Sequence, residues 1–199
     1  MRIIAGQFRS RQLKSPKGKT LRPTSDKLRE TLFNVLGELV VDARFADLFA
    51  GTGAVGIEAL SRGAREAVFV EKHLPSAALI KKNLESLEIR EGVRVLALDA
   101  LKALERLAEE PATTNARIDL LFIDPPYAEK EQYRIVLTFL GGANLLAENA
   151  VVIAEHQRSL DLPEAFGKLE RVRVLCQGDA ALTFYRFCTP SLPEKPRSE

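Results

Sequence analysis

The sequence predicts an α/β protein: a Rossmann-like, mostly parallel seven-stranded sheet that ends in an antiparallel hairpin, preceded by a small basic N-terminal β-ribbon. Three observations carry that prediction. From residue 42 onward, short apolar runs alternate with amphipathic stretches, the pattern of repeated βαβ units. One run, ADLFAGTGAVGIEAL, passes from an apolar strand through closely spaced glycines straight into a helix. Near the C-terminus two strand-like runs are joined by the turn residues Gln177, Gly178 and Asp179, which breaks the alternation and calls for a hairpin.

The elements follow in order. The opening RIIAGQFRSRQLKSP alternates short apolar and polar residues around Gly6 and Ser10, as a two-stranded ribbon would; alone, it is too small to be stable. From Thr24 the pattern turns helical: Thr24, Ser25 and Asp26 offer N-caps, and Leu28, Leu32, Val35, Leu36 and Leu39 form one stripe at helical spacing. This helix is expected to dock the ribbon onto the body. Strands are expected at 44–49, 67–71, 93–98, 118–123 and 150–155, with helices near 55–62, 74–87, 101–109 and 130–140 between them. The closing hairpin takes 169–176 and 181–187.

With 199 residues and 46% hydrophobic content, the chain supports one well-buried core. We expect a basic arm at 1–22, the main domain at 23–187 and a disordered, Pro-rich tail at 188–199. No stretch approaches the roughly eighteen consecutive apolar residues of a membrane span, and the start MRIIAGQFRSRQ lacks a secretory h-region, so a cytoplasmic protein without membrane contact is expected. Cys176 and Cys188 make no disulfide framework, and nothing near them completes a metal site, so no metal is expected.

Charge is unevenly divided. Residues 1 to 31 hold nine Lys or Arg against two acids, a local charge of +7, so the remainder of a chain with net charge +2 carries −5. A basic segment on an acidic body is an electrostatic address for a polyanion, because each cation placed on a phosphate releases condensed counterions. A solvated surface is the plainer reading of the same residues.

The glycine loop marks a ligand site. Small residues at Gly51 and Gly53 let backbone approach a ligand at a helix N-terminus. With Gly56 they also satisfy G-x-G-x-x-G, so the loop by itself does not separate a nicotinamide dinucleotide from S-adenosylmethionine. Asp47, Glu71 and Asp99 close successive apolar runs, and in a parallel sheet such positions converge outside the carboxyl ends of the strands. Glu71 suits a pair of ribose hydroxyls and Asp99 an adenine amino group. Each acid alone has a plainer reading as a helix cap or a solvated charge, but their joint placement is stronger evidence than any one of them.

The string IDLLFIDPPYAEK places Asp124, Pro125, Pro126 and Tyr127 directly after an apolar strand. Two consecutive prolines have fixed φ and no N–H, so the turn is stiff and presents carbonyl oxygens. A nucleobase amino group is a poor nucleophile because its lone pair is delocalised into the ring. Acceptors at the Asp124 carboxylate and the Pro125 carbonyl would draw that nitrogen toward sp3 geometry and aim its lone pair at a sulfonium methyl, chemistry that needs no metal. Tyr127 offers a face on which the base stacks, worth about 1–3 kcal/mol by analogy with single-strand binders.

On these residues the chain resembles the RsmD-type bacterial 16S rRNA guanine-N2 methyltransferases from about residue 2 to 187. The resemblance rests on RIIAGQFRSRQL, LRPTSDKLRETLFNVL, DLFAGTGAVGIEALSRGA and FIDPPY. It implies a class I methyltransferase fold, S-adenosyl-L-methionine as donor with S-adenosyl-L-homocysteine as product, and one guanine of 16S rRNA in an assembled or nearly assembled small subunit as target. A monomer is expected. By the same resemblance, Asp47, Phe49, Gly51, Thr52 and Gly53 would line the methionine end of the donor, Glu71 and Lys72 its ribose, and Asp99 and Ala100 its adenine. The guanine would lie against Asp124, Pro125, Pro126 and Tyr127. Arg2, Arg9, Arg11, Lys14, Arg22, Thr24 and Arg29 would face RNA, with Arg22, Pro23, Thr24 and Arg29 beside the active site. His73 and His156 are read as ordinary polar residues. Other readings stay open: a DNA or RNA adenine-N6 methyltransferase, a protein-glutamine methyltransferase, which usually has Asn in place of Asp124, a nicotinamide-dependent dehydrogenase, and a non-catalytic RNA-binding module.

Overall fold

The computed structural model describes residues 1–15, 25–110 and 117–188. The expected Arg22, Pro23 and Thr24 contacts and the tail beyond 188 lie outside the described residues.

A first helix, α1 (Asp26–Leu36), starts where the Ser25 hydroxyl accepts the Leu28 N–H at 3.1 Å. A short 3-10 turn (Gly37–Val40) follows. The chain then runs β1 (Arg44–Asp47), α2 (Ala54–Ser61), β2 (Glu66–Val70), α3 (Leu74–Ser86), β3 (Val93–Leu96), α4 (Ala100–Ala108), β4 (Ile118–Ile123) and α5 (Glu131–Gly142). It finishes with β5 (Leu146–Gln157), β6 (Ala165–Phe166), β7 (Leu169–Gln177) and β8 (Ala180–Phe187). The sheet has eight strands in the order β3-β2-β1-β4-β5-β8-β7-β6. β3 to β5 are mutually parallel, and β8 inserts antiparallel between β5 and β7. All seven expected strands form; the eighth, β6, is a two-residue pairing too short to leave a period in the sequence.

Alternation along the strands sorts the core into two faces. Ala46, Val68, Val70, Leu121, Ile123 and Val152 pack with α4 and α5 on one side. Phe45, Ala67, Phe69, Leu120, Phe122 and Ile153 point the other way, against α1, α2 and α3. The period of two makes the side chains of a strand change face at each step. The register Asp47↔Phe69, Asp47↔Phe122 and Phe122↔Ile153 puts those residues level across four strands.

Two expectations about the N-terminal region change. Leu39 does not complete the buried stripe of α1: the 3-10 turn winds more tightly than an α-helix, which leaves Leu39 half exposed and turns Val40 inward instead. The ribbon is a single antiparallel bridge, Arg2↔Gln12, reinforced by Ile3 N–H to Arg11 O (3.0 Å) and Leu13 N–H to Met1 O (3.1 Å). It is docked mainly by α2 and α3 rather than by α1. Ile3 and Leu13 are buried with Ile57, Leu60 and Ile80. The Glu58 carboxylate accepts from the Ile4 and Ala5 amides at 2.8 and 3.0 Å, and Asn83 exchanges two hydrogen bonds with the Lys14 backbone.

Candidate active site

The strand register brings four acids together at the carboxyl edge of the sheet. Asp47 ends β1 on the side that faces α1 to α3. Glu71, Asp124 and Glu155 each lie two residues beyond a residue level with Asp47, so they carry the same side-chain parity on β2, β4 and β5. All four line one cavity of about 800 Å³. That size lies within the range of ligand sites, about 300–1,000 Å³. Its wall includes Phe49, Gly51, Thr52 and Ala54 from the glycine loop, and Pro125, Pro126 and Tyr127 from the proline corner.

The glycine loop is fastened from below. The buried Asp47 carboxylate accepts the Gly56 N–H at 3.2 Å, inside the first turn of α2. Burial raises its pKa to about 7; the Gly56 and Phe49 amides oppose the rise, and the neighbouring Glu71 and Glu155 add to it. Glu71 accepts the Gly51 N–H at 2.9 Å with one oxygen and the His73 N–H at 2.8 Å with the other. Gly51 has φ +54, and a Cβ there would meet nothing closer than the Phe49 oxygen at 4.0 Å: the loop leaves open space over its first glycine. Gly56 has the opposite reason to be small, since a Cβ would lie 2.4 Å from the Phe69 ring and prise α2 off β2.

The N-terminal segment reaches this loop. Asn83, fully buried on α3, donates to the Thr52 carbonyl at 3.0 Å while holding the Lys14 backbone, and the Thr52 hydroxyl sits 3.6 Å from the Met1 sulfur. Lys72, which lines the cavity, pairs through Nζ with both oxygens of Glu129 at 2.7 and 2.8 Å. That pair joins the chain beyond β2 to the turn after the proline corner, where the Glu129 N–H reaches the Pro126 carbonyl at 2.7 Å.

Not every expected site residue converges. Gly53 N-caps α2 with φ +79 and does not line the cavity. Asp99 caps α4, accepting the Leu101 N–H at 3.0 Å, and its neighbours Leu98 and Ala100 form the wall instead. Arg2, Arg9, Arg11 and Lys14 are exposed on the N-terminal segment, and Arg11 donates to the Ser86 carbonyl at 3.1 Å. Arg29 is a correction: its side chain is wholly buried, donating to the Arg2 carbonyl at 2.6 Å and to Asp26 at 3.0 Å, with Glu58 3.6 Å away. It cannot face RNA from there; it ties the N-terminal segment, α1 and α2 together. Conversely, Glu155 was missed, as were His73, Ser76, Leu79 and Lys82 on the rim and flank of α3. His73 and Ser76 are bonded to each other at 3.0 Å. The other histidine, His156, is buried between Thr183 and the Gln157 carbonyl, and burial pushes its pKa down.

Among the described residues, no helix is long and apolar enough to cross a membrane, and no group of three His, Cys, Asp or Glu is placed to hold a metal. Both cysteines are free and exposed.

Comparison with known proteins places this geometry. Residues 1–186 match the family described as Conserved hypothetical protein 95. Ribosomal RNA small subunit methyltransferase D of Escherichia coli is 34% identical over 186 residues, 94% of this chain and 89% of that protein. The solved structure of Escherichia coli yhhF superposes with a TM-score of 0.80 at 34% identity, covering 94% of this chain and 97% of that one. An RNA methyltransferase from Salinibacter ruber in complex with S-adenosyl-L-homocysteine has a TM-score of 0.61 at 15% identity, over 87% of this chain and 98% of that one, a likeness of fold. The fold is therefore that of a class I methyltransferase, and the chain belongs to the Conserved hypothetical protein 95 family, which contains the ribosomal RNA small subunit methyltransferase D proteins.

Proposed function

We propose that the protein transfers the methyl group of S-adenosyl-L-methionine to the exocyclic N2 of one guanine in small-subunit ribosomal RNA, within an assembled or nearly assembled subunit. The observation that carries this reading is a single cavity lined at one end by the glycine loop with its acids and at the other by Asp124, Pro125, Pro126 and Tyr127. A nicotinamide dehydrogenase would have no use for that second end.

The donor fits the residues present. Open space over Gly51 admits a ligand close to backbone, and the acids Asp47 and Glu71 answer a ligand that bears positive charge. When bound, S-adenosyl-L-methionine supplies a methyl group made electrophilic by its sulfonium sulfur. Asp47, Phe49, Gly51 and Thr52 hold the methionine end, Glu71 the ribose, and Leu98 and Ala100 the adenine.

On the opposite side the Asp124 carboxylate and the Pro125 carbonyl accept the two amino hydrogens of the guanine. They turn its nitrogen toward sp3 geometry and stabilise the positive charge that moves onto it, while Tyr127 stacks on the ring. Once nitrogen is methylated its proton becomes acidic and passes to Asp124 or to water. The target base must leave its stack to enter, which favours an unpaired nucleotide. The exposed Arg2, Arg9, Arg11 and Lys14 supply the phosphate contacts.

The test is Asp124→Ala. Methyl transfer to small-subunit rRNA is expected to fall at least about a hundredfold, with calorimetric affinity for S-adenosyl-L-homocysteine kept within a few-fold. Parallel loss of transfer and donor affinity would remove Asp124 from the base end and sink the reading.

A further inference from the structure

Three of the four strand-end acids have work in the scheme above: Asp47 and Glu71 under the glycine loop, Asp124 at the corner. Glu155 has none, yet its placement is as well determined. It is 6% exposed and lines the same cavity. The pairs Phe122↔Ile153 and Ile123↔Ala154 immediately precede Asp124 and Glu155, so the two acids come next along neighbouring parallel strands, and both line the cavity. Its backbone is held from both sides: Tyr133 donates to the Glu155 carbonyl at 2.6 Å, and Glu155 pairs with Leu182 of β8.

We propose that Glu155 is the residue that selects guanine, accepting the N1–H that lies next to the amino group held by Asp124 and Pro125. The proposal rests on the reading of the site as a guanine-N2 methyltransferase.

The warrant is the pattern of atoms flanking each base amino group. Beside adenine N6 lies N1, an acceptor; beside cytosine N4 lies N3, also an acceptor. Only guanine N2 has a donor next to it on the Watson–Crick edge, the N1–H. A corner that grips an NH2 group by two acceptors does not by itself tell these bases apart. A second carboxylate at its side does, because it hydrogen-bonds guanine N1–H and meets the lone pair of adenine or cytosine with like charge. A pocket built to bond a donor rejects a ligand that lacks it far more strongly than a pocket that merely encloses it, because the buried acceptor is then left unpaired. The same carboxylate fixes the in-plane rotation of the ring, so that the amino nitrogen, not its neighbour, faces the methyl group.

The experiment compares guanine with 2-aminopurine, which keeps the 2-amino group and has a bare acceptor nitrogen at N1. Both are placed by splint ligation at the target position of small-subunit rRNA, located first by mapping the wild-type product. Wild-type kcat/KM is expected to favour guanine by about tenfold to a hundredfold. In Glu155→Gln the amide can turn its NH2 toward N1, so guanine turnover falls, 2-aminopurine turnover rises, and their ratio drops at least about tenfold. Glu155→Asp, which keeps the charge one methylene further back, lowers both rates and keeps the guanine preference. Affinity for S-adenosyl-L-homocysteine stays within a few-fold of wild type in both variants. An unchanged ratio in Glu155→Gln, or loss of the guanine preference in Glu155→Asp, overturns the proposal. A wild-type protein that yields no N2-methylguanine instead fails the functional reading, and that is known before any variant is compared.

Discussion

Asp47 is expensive in its ionised form, and replacing it shows by how much. Its carboxyl is buried beneath the glycine loop near Glu71 and Glu155, with a pKa raised from 3.8 to about 7. A carboxyl held above its unfolded value binds its proton more tightly in the native state. The contribution of this carboxyl to stability is therefore greatest below about pH 4, declines as pH rises across the window from about 4 to about 7, and reaches its full penalty above it. That rise corresponds to roughly 4 kcal/mol. Asp47→Asn keeps an oxygen for the Gly56 N–H and removes the charge. Urea denaturation of both proteins at intervals from pH 4 to pH 8.5 is the assay. The stability of the variant relative to wild type should climb with pH through the window and level off above it, on the order of 4 kcal/mol higher than at pH 4. The gain has a functional cost under the proposed function, in which the donor's positive charge offsets that of Asp47: the variant should bind S-adenosyl-L-methionine more weakly, most clearly above pH 7. Parallel stability curves would refute the reasoning.

Other outcomes follow from the same geometry. Arg29→Ala leaves the buried Glu58 without one of its two cationic neighbours and should cost about 3–5 kcal/mol in urea denaturation. The salt dependence of RNA binding should stay unchanged; a stable variant with a flatter slope would return Arg29 to the RNA surface. Neutralising the exposed Arg9, Arg11 and Lys14 should lower the slope of log affinity against log salt by about 0.7–0.9 per lost phosphate contact. An unchanged slope would move the RNA address elsewhere. Gly56→Ala drives a methyl into the Phe69 ring, with an expected loss of about 1–3 kcal/mol in thermal melting; an unperturbed melting temperature would contradict the close α2 to β2 packing.

The parallel half of the sheet was legible because its strands are apolar on both faces and its helices on one. Runs such as AVFV and LLFI, separated by amphipathic stretches, leave few other arrangements. β5 is longer than expected because its first residues, Leu146–Asn149, include exposed Glu148 and Asn149, the latter with φ +68, which interrupt the apolar pattern without ending the strand. Arg29 was misread for a related reason. Charge on a helix says nothing of a partner in another element, and Glu58 lies 29 residues further along the chain. The glycine loop and the proline corner were readable because their chemistry is local in sequence. Glu155 was not singled out, although AVVIAE ends in an acid as AVFVE does. Its significance depends on strand register, which sets it beside Asp124 and becomes visible only once β5 is paired with β4. The anchoring of the N-terminal segment by Glu58 and Asn83 is likewise a set of long-range polar contacts with no periodic trace.

The most direct measurement is made on small-subunit particles from cells lacking this protein, incubated with the purified chain and methyl-labelled S-adenosyl-L-methionine, then digested to nucleosides. The expected result is one N2-methylguanosine per particle, at a single position, absent when Asp124 is replaced by Ala. Label in N6-methyladenosine, in DNA, or in no nucleoside at all would contradict a guanine amino group facing the proline corner.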